Sequence, residues 1–167
     1  MIPVSAASGT LQFSTTSQRN YELKLNGEVV GTLSRPSLWS QKFVAESQDG
    51  RWIIRRSGFF GTEIVDAESE HQIAFCKWNW CDKGQLTFAD GERYQVGPEG
   101  FWRPIWTVTR ENGEVVLQLR RREKTADIPP NTMLPSGRIA LLSMFAWYCV
   151  LKTQEDAATV AVSAAVS

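Results

Sequence analysis

The chain has 167 residues, with 18 Lys and Arg balancing 18 Asp and Glu. That length suits one domain with a sizeable core, and the zero net charge excludes a whole-molecule field that would draw it to nucleic acid or to an anionic membrane. Seven Trp and eight Phe supply large side chains for a β-rich interior, and three cysteines are an odd number that gives no disulfide framework.

Residues 1–9 read as a flexible leader, and the small, polar character continues to about Asn20. No basic segment followed by a sustained apolar run is present there, so a secretory signal is not expected and the cytoplasm is the expected compartment. Tyr21–Leu25 alternates apolar and charged residues, the period-two mark of a half-buried strand. Asn26-Gly27 then predicts a hairpin into Glu28–Leu33.

The same pattern recurs at Leu38–Ala45, Arg51–Arg56, Thr62–Asp66, His71–Trp80, Leu86–Phe88, Tyr94–Val96, Trp102–Thr109 and Val115–Arg121. Turn chemistry separates these runs: Gln48-Asp49-Gly50, Asp82-Lys83-Gly84, Asp90-Gly91 and Asn112-Gly113 among others. Short strands joined this way predict an antiparallel meander closing as a barrel or sandwich, and the lack of βαβ alternation disfavours a nucleotide-binding parallel sheet.

Thr125–Gly137 holds three prolines and reads as a crossover loop. It leads into Arg138–Lys152, RIALLSMFAWYCVLK, in which only Ser143 is polar between the flanking charges. Ile139–Leu151 would reach roughly 20 Å as a helix, short of the roughly 30 Å core of a bilayer. A helix apolar on every side must be surrounded, so the expectation is burial at the centre of the sheet and not integral membrane insertion. Residues 153–167 read as a tail, partly disordered or adding a short strand at Thr159–Val162.

Repeated hairpins, the crossover and the apolar helix over Ala126–Leu151 resemble the superfamily of tubby C-terminal-like domains, phospholipid scramblases and LURP-one-related proteins. The resemblance spans about residues 10–152. It implies a mainly β fold: a closed antiparallel barrel of about twelve strands around a central hydrophobic C-terminal helix. It also implies a non-enzymatic binding module for an anionic phospholipid headgroup or a protein partner, peripheral to the membrane. Scramblases carry an acidic calcium-binding segment before the helix, where this chain offers only Asp127, so calcium control is not expected.

No catalytic constellation is legible. His71 is the only histidine, and nucleophile elbow, phosphate loop and metalloprotease motifs are missing from the sequence. Cys76 and Cys81 lack the second ligand pair of a thiolate zinc site, and Cys149 falls within the helix, so all three read as free thiols; no metal or cofactor is expected. Two other functional classes remain open at this stage: a membrane-associated scramblase-like protein, and an enzyme built on a barrel-end pocket.

The candidate ligand-binding residues are basic. Trp52 and Ile54 facing inward would leave Arg51 and Arg55 outside, and Val115, Leu117 and Leu119 facing inward would leave Val116, Gln118, Arg120 and Arg122 outside, with Lys124 continuing the run. Such a cluster suits a phosphate or headgroup; the plainer reading is a solvated face paired with acids. The glycine-flanked rings Phe59, Phe60, Phe101 and Trp102 are candidates for membrane or partner contact; the plainer reading has them folding back to plug a barrel end.

Overall fold

Asn26 and Gly27 take φ of 52° and 84°, the left-handed pair required by a two-residue hairpin turn of the type that suits twisted strands. They join β2 (Asn20–Leu25) to β3 (Glu28–Ser34), and the rest of the chain repeats this hairpin logic. In the computed structural model, which describes residues 9–100, 102, 105–135 and 137–166, twelve strands follow one another up and down. They are β1 (Gly9–Ser17), β2, β3, β4 (Lys42–Ser47), β5 (Gly50–Arg56) and β6 (Gly61–Asp66). They continue as β7 (Gln72–Trp78), β8 (Gly84–Phe88), β9 (Arg93–Glu99), β10 (Ile105–Arg110), β11 (Val115–Arg120) and β12 (Thr125–Ile128). Each strand pairs antiparallel with its chain neighbours, and β1 closes the ring against β12 with Gly9 opposite Ile128.

The closed barrel surrounds the first part of α1 (Arg138–Val166), as expected from the sequence. Twelve consecutive residues, Ile139–Val150, are buried. At 3.6 residues per turn they point in every direction, so only a wall on all sides can cover them. The contacts show that wall. Trp147 stacks on Phe13 of β1 at 4.8 Å, Tyr148 meets Phe43 of β4 edge-on at 5.3 Å, and Phe145 lies near Trp78 of β7 at 6.4 Å. The buried aliphatic hydroxyl on this stretch, Ser143, donates back to the Ile139 carbonyl at 2.7 Å and needs no outside partner. On β3 the helix comes close enough that a Cβ on Gly31 would lie 3.2 Å from the Met144 sulfur.

Several sequence readings are corrected. The small, polar N-terminal stretch supplies β1, opened by Gly9, while residues 1–8 lie outside the described residues. The supposed crossover begins with a strand, β12. β4 starts at Lys42, leaving Leu38 and Trp39 in the preceding loop. The bulge opposite Val108 and Thr109 inserts an extra residue in β11, so Val115 faces out and Val116 faces in, the reverse of strict alternation. The tail is helical: α1 continues to Val166, where disorder or a strand had been expected.

Because Phe145 is fully buried and touches rings from α1 and β7, Phe145→Ala should cost about 3–5 kcal/mol of stability. Leu142→Asp should abolish folding, since a carboxylate there has no solvent to reach. Urea denaturation followed by tryptophan fluorescence and circular dichroism measures both; a Leu142→Asp protein that stays folded would show that α1 is not the centre of the barrel.

Candidate functional site

An up-and-down barrel sends every second loop to the same end. The turns β2–β3, β4–β5, β6–β7, β8–β9 and β10–β11 therefore gather where α1 begins, the proximal end. The loops β1–β2, β3–β4, β5–β6, β7–β8, β9–β10 and β11–β12 gather where α1 leaves, the distal end.

Charge divides along the same line. The five proximal turns hold seven carboxylates, among them Glu68, Glu70, Asp90, Glu92, Glu111 and Glu114, and no Lys or Arg. The described residues of the distal loops hold six basic side chains, Arg19, Arg35, Lys83, Arg121, Arg122 and Lys124, against two acids, Asp82 and Glu123. The loop charge of a chain neutral in sum thus differs in sign between the two ends, with Arg93, Arg110 and Arg138 pairing with Glu111, Glu114 and Asp90 at the proximal one.

Apolar exposure follows the same axis. Among the described residues eleven large apolar side chains are exposed, and nine of these lie at or beyond the distal end. Trp39 is 92% exposed on the β3–β4 loop, Phe59 87% on β5–β6, Trp80 87% on β7–β8 and Trp102 77% on β9–β10. Three of these rings form a cluster across two loops: Phe60 meets Phe59 at 5.1 Å and Trp80 at 4.9 Å, both edge to face.

α1 adds to this end. Beyond Lys152 the helix emerges, held to the barrel by the ion pair of Glu155 with Arg35 and by Lys152 Nζ donating to Gln41 Oε1 at 2.9 Å. Ala157–Val166 is exposed and uncharged, AATVAVSAAV. Thr159 and Ser163 turn their hydroxyls back to the Glu155 and Thr159 carbonyls at 3.0 Å each, so the projecting segment, about 20 Å from Lys152 to Val166, presents little polar surface of its own. Among the described residues no helix is long and apolar enough to cross a membrane.

A cavity of about 320 Å³ opens beside the emerging helix. Its floor is Trp106, Trp78, Tyr148 and Cys149, its rim is Phe59, Phe60 and Trp80, and Arg56, Lys152, Asp82 and Asp156 bring charge of both signs to it. Trp78 is fixed by donating its indole N–H to Thr62 Oγ1 at 3.0 Å. Burial pushes the Cys149 thiol and the Tyr148 hydroxyl well above their ordinary pKa values, holding both in their neutral forms.

The structure separates the basic residues singled out in the sequence. β5 and β11 are six strands apart in either direction round the barrel, so Arg51 and Arg55 cannot share a site with Arg120, Arg122 and Lys124. Arg51 lies towards the proximal end, 3.8 Å from Glu46, and Arg55 pairs with Glu63 at 2.7 Å, which holds that carboxyl below its ordinary range. Arg120 lies on the wall, paired with Asp127 at 3.1 Å. Arg122 and Lys124 belong to the β11–β12 turn and so to the distal end. Phe59, Phe60 and Trp102 are there too, exposed instead of plugging the barrel; Phe101 lies outside the described residues.

Sequence reasoning missed Trp39 and Trp80, which were read as strand residues, and Arg19 and Arg121. The usable signal was the repetition of aromatic residues in alternate loops. Cys76 faces the core of β7 while Cys81 is exposed in the following loop, and His71 is exposed on the β6–β7 turn at the opposite end from the cavity. No family model, curated protein or solved structure matches this chain.

At the proximal end the start of α1 is latched. Arg138 lies 3.6 Å over the Phe88 ring and bonds Asp90 Oδ2 at 2.7 Å. The Glu92 backbone amide, then Arg138, hold the Asp90 carboxyl below its ordinary value of 3.8. A depressed carboxylate pKa contributes stability that is present above the unfolded value and is lost as pH falls through the folded one. Stability of the wild type should therefore decline on acidification more steeply than that of Asp90→Asn, which should be the less stable of the two at neutral pH. Urea titrations at stepped pH down through 3.8 test this; parallel curves would mean that Asp90 contributes nothing to the latch.

Proposed function

We propose that this chain is a non-enzymatic, cytoplasmic, tubby-like binding module that docks its distal end on an anionic phospholipid surface. The observation that carries the reading is the coincidence, at one end of the barrel, of the exposed Trp and Phe rings with the basic loops. Tryptophan suits the headgroup level of a bilayer because its ring is apolar and its N–H remains in contact with polar groups. Lys and Arg beside it add attraction to anionic lipid of about 1 kcal/mol each near the surface. The opposite end is acidic and would be turned away from such a surface by the same field.

The uncharged tail of α1 extends the apolar part of this end and fits shallow burial along the interface. A scramblase-like role in which α1 spans the bilayer would require Ile139–Val150 to leave the barrel, stripping the core of its centre. The superfamily resemblance agrees with peripheral binding, and the geometry moves the expected contact from the strand faces to the loop tips.

Co-flotation with vesicles tests the reading. Binding to vesicles containing phosphatidylserine should weaken with salt, and combined Arg121→Gln, Arg122→Gln and Lys124→Gln should reduce it by on the order of a hundredfold. Trp39→Ser with Trp80→Ser should lower binding at every salt concentration. Failure of the wild type to float with any vesicle would overturn membrane docking and leave the distal end as a protein-contact surface.

A further inference from the structure

In the distal cavity rings, cations and carboxylates converge on open space. Cations alone would indicate an anion, and rings with carboxylates alone a cation. Here Arg56 and Lys152 stand with Asp156 round an aromatic enclosure made by Phe60, Trp78 and Trp80. Among the described residues Arg56 takes no ion pair, although Arg55, its neighbour on β5, does. Its guanidinium is a two-pronged donor suited to phosphate oxygens. Phe60 and Trp80 pack edge to face at 4.9 Å, and the aromatic surface that they and Trp78 give to the cavity lining suits a quaternary ammonium group, whose weak hydration makes contact with ring faces favourable.

Size narrows the ligand further. About 320 Å³ is at the small end of ligand pockets, which run to roughly 1,000 Å³. It admits a compact polar group and excludes a whole acyl chain alongside it. Phe59 and Trp80 line the cavity and are exposed, so a group on a surface touched by those rings would meet the cavity from the distal end.

We infer that the distal cavity is a receptor site for a phosphocholine-type zwitterion, its phosphate diester meeting Arg56 and Lys152 and its quaternary ammonium meeting Phe60, Trp78, Trp80 and Asp156. The inference deepens the membrane-docking reading and rests on it for the source of the ligand, a phosphatidylcholine headgroup. The same zwitterion in free form carries the same chemistry, so soluble and vesicle probes separate the two sources.

The full-length chain is titrated with glycerophosphocholine, choline, glycerol 3-phosphate and glycerophosphoethanolamine, following the indole resonances by NMR. Glycerophosphocholine should bind saturably and at least tenfold more tightly than each of the other three. Arg56→Gln should bring it down to the level of choline, and Trp80→Ala, at a residue too exposed to disturb the fold, should weaken it at least tenfold. Trp39→Ser, on a loop that does not line the cavity, should leave this affinity unchanged while lowering vesicle capture. No saturable binding, glycerol 3-phosphate binding as well as glycerophosphocholine, or wild-type affinity in both cavity variants would overturn the inference. Vesicle capture without glycerophosphocholine binding would sink the cavity site and leave membrane docking standing. Binding of glycerophosphocholine without vesicle capture would keep the site, assign it to the free zwitterion and overturn membrane docking.

Discussion

A helix with no polar face has to be enclosed, and that requirement organises this molecule. Ile139–Val150 carries twelve buried residues in succession, and the Ser143 hydroxyl among them satisfies itself on the helix backbone. Packing against a flat sheet would cover one side and leave the rest in water. Closing the sheet into a ring covers all sides and also removes the unpaired strand edges that an open antiparallel sheet would expose. Closure meets both needs, and the short turns between successive strands keep β1 to β12 in chain order.

That order has an electrostatic consequence invisible in the composition. Strict alternation sorts the loops into two sets, and the sets differ in charge and in aromatic content. Carboxylates at the proximal end serve local structure as well: Asp66 Oδ1, at the close of β6, accepts from the Ser69 amide at 2.7 Å, and Asp90 receives the Arg138 guanidinium that secures the start of α1. At the distal end the exposed rings of Phe59, Phe60 and Trp80 pack on one another, and basic loops share that end. Turn-forming chemistry thus accounts for part of the acidic end, while the aromatic tips of the distal end stand largely in solvent.

The proximal latch and the distal anchor hold the same helix at its two ends. Arg138 fixes the start through Phe88 and Asp90, and the exit is fixed by Glu155 through Arg35 and by Lys152 through Gln41. Between them the aromatic contacts set the rotation of α1, and with it the positions of Tyr148, Lys152 and Asp156 at the cavity. The cavity is therefore shaped by the core as much as by the loops that rim it.

The hairpins were legible where a strand alternated over several residues: Tyr21–Leu25 and Arg51–Arg56 nearly coincide with β2 and β5. β1 escaped because only Leu11 and Phe13 mark its inward face before Ser and Thr take over, and β12 because four residues are too few to show a period. The inward turn of Val116 was hidden because a bulge breaks the period that reveals facing. Local patterns record inside and outside, so the residues themselves determined the alternating strands, their turns and the all-round burial of the helix. Which loops share an end depends on the order in which strands pair, and only tertiary closure decided that Trp39, Phe59, Trp80, Arg122 and Lys124, far apart along the chain, belong to one surface while Arg51 lies towards the other.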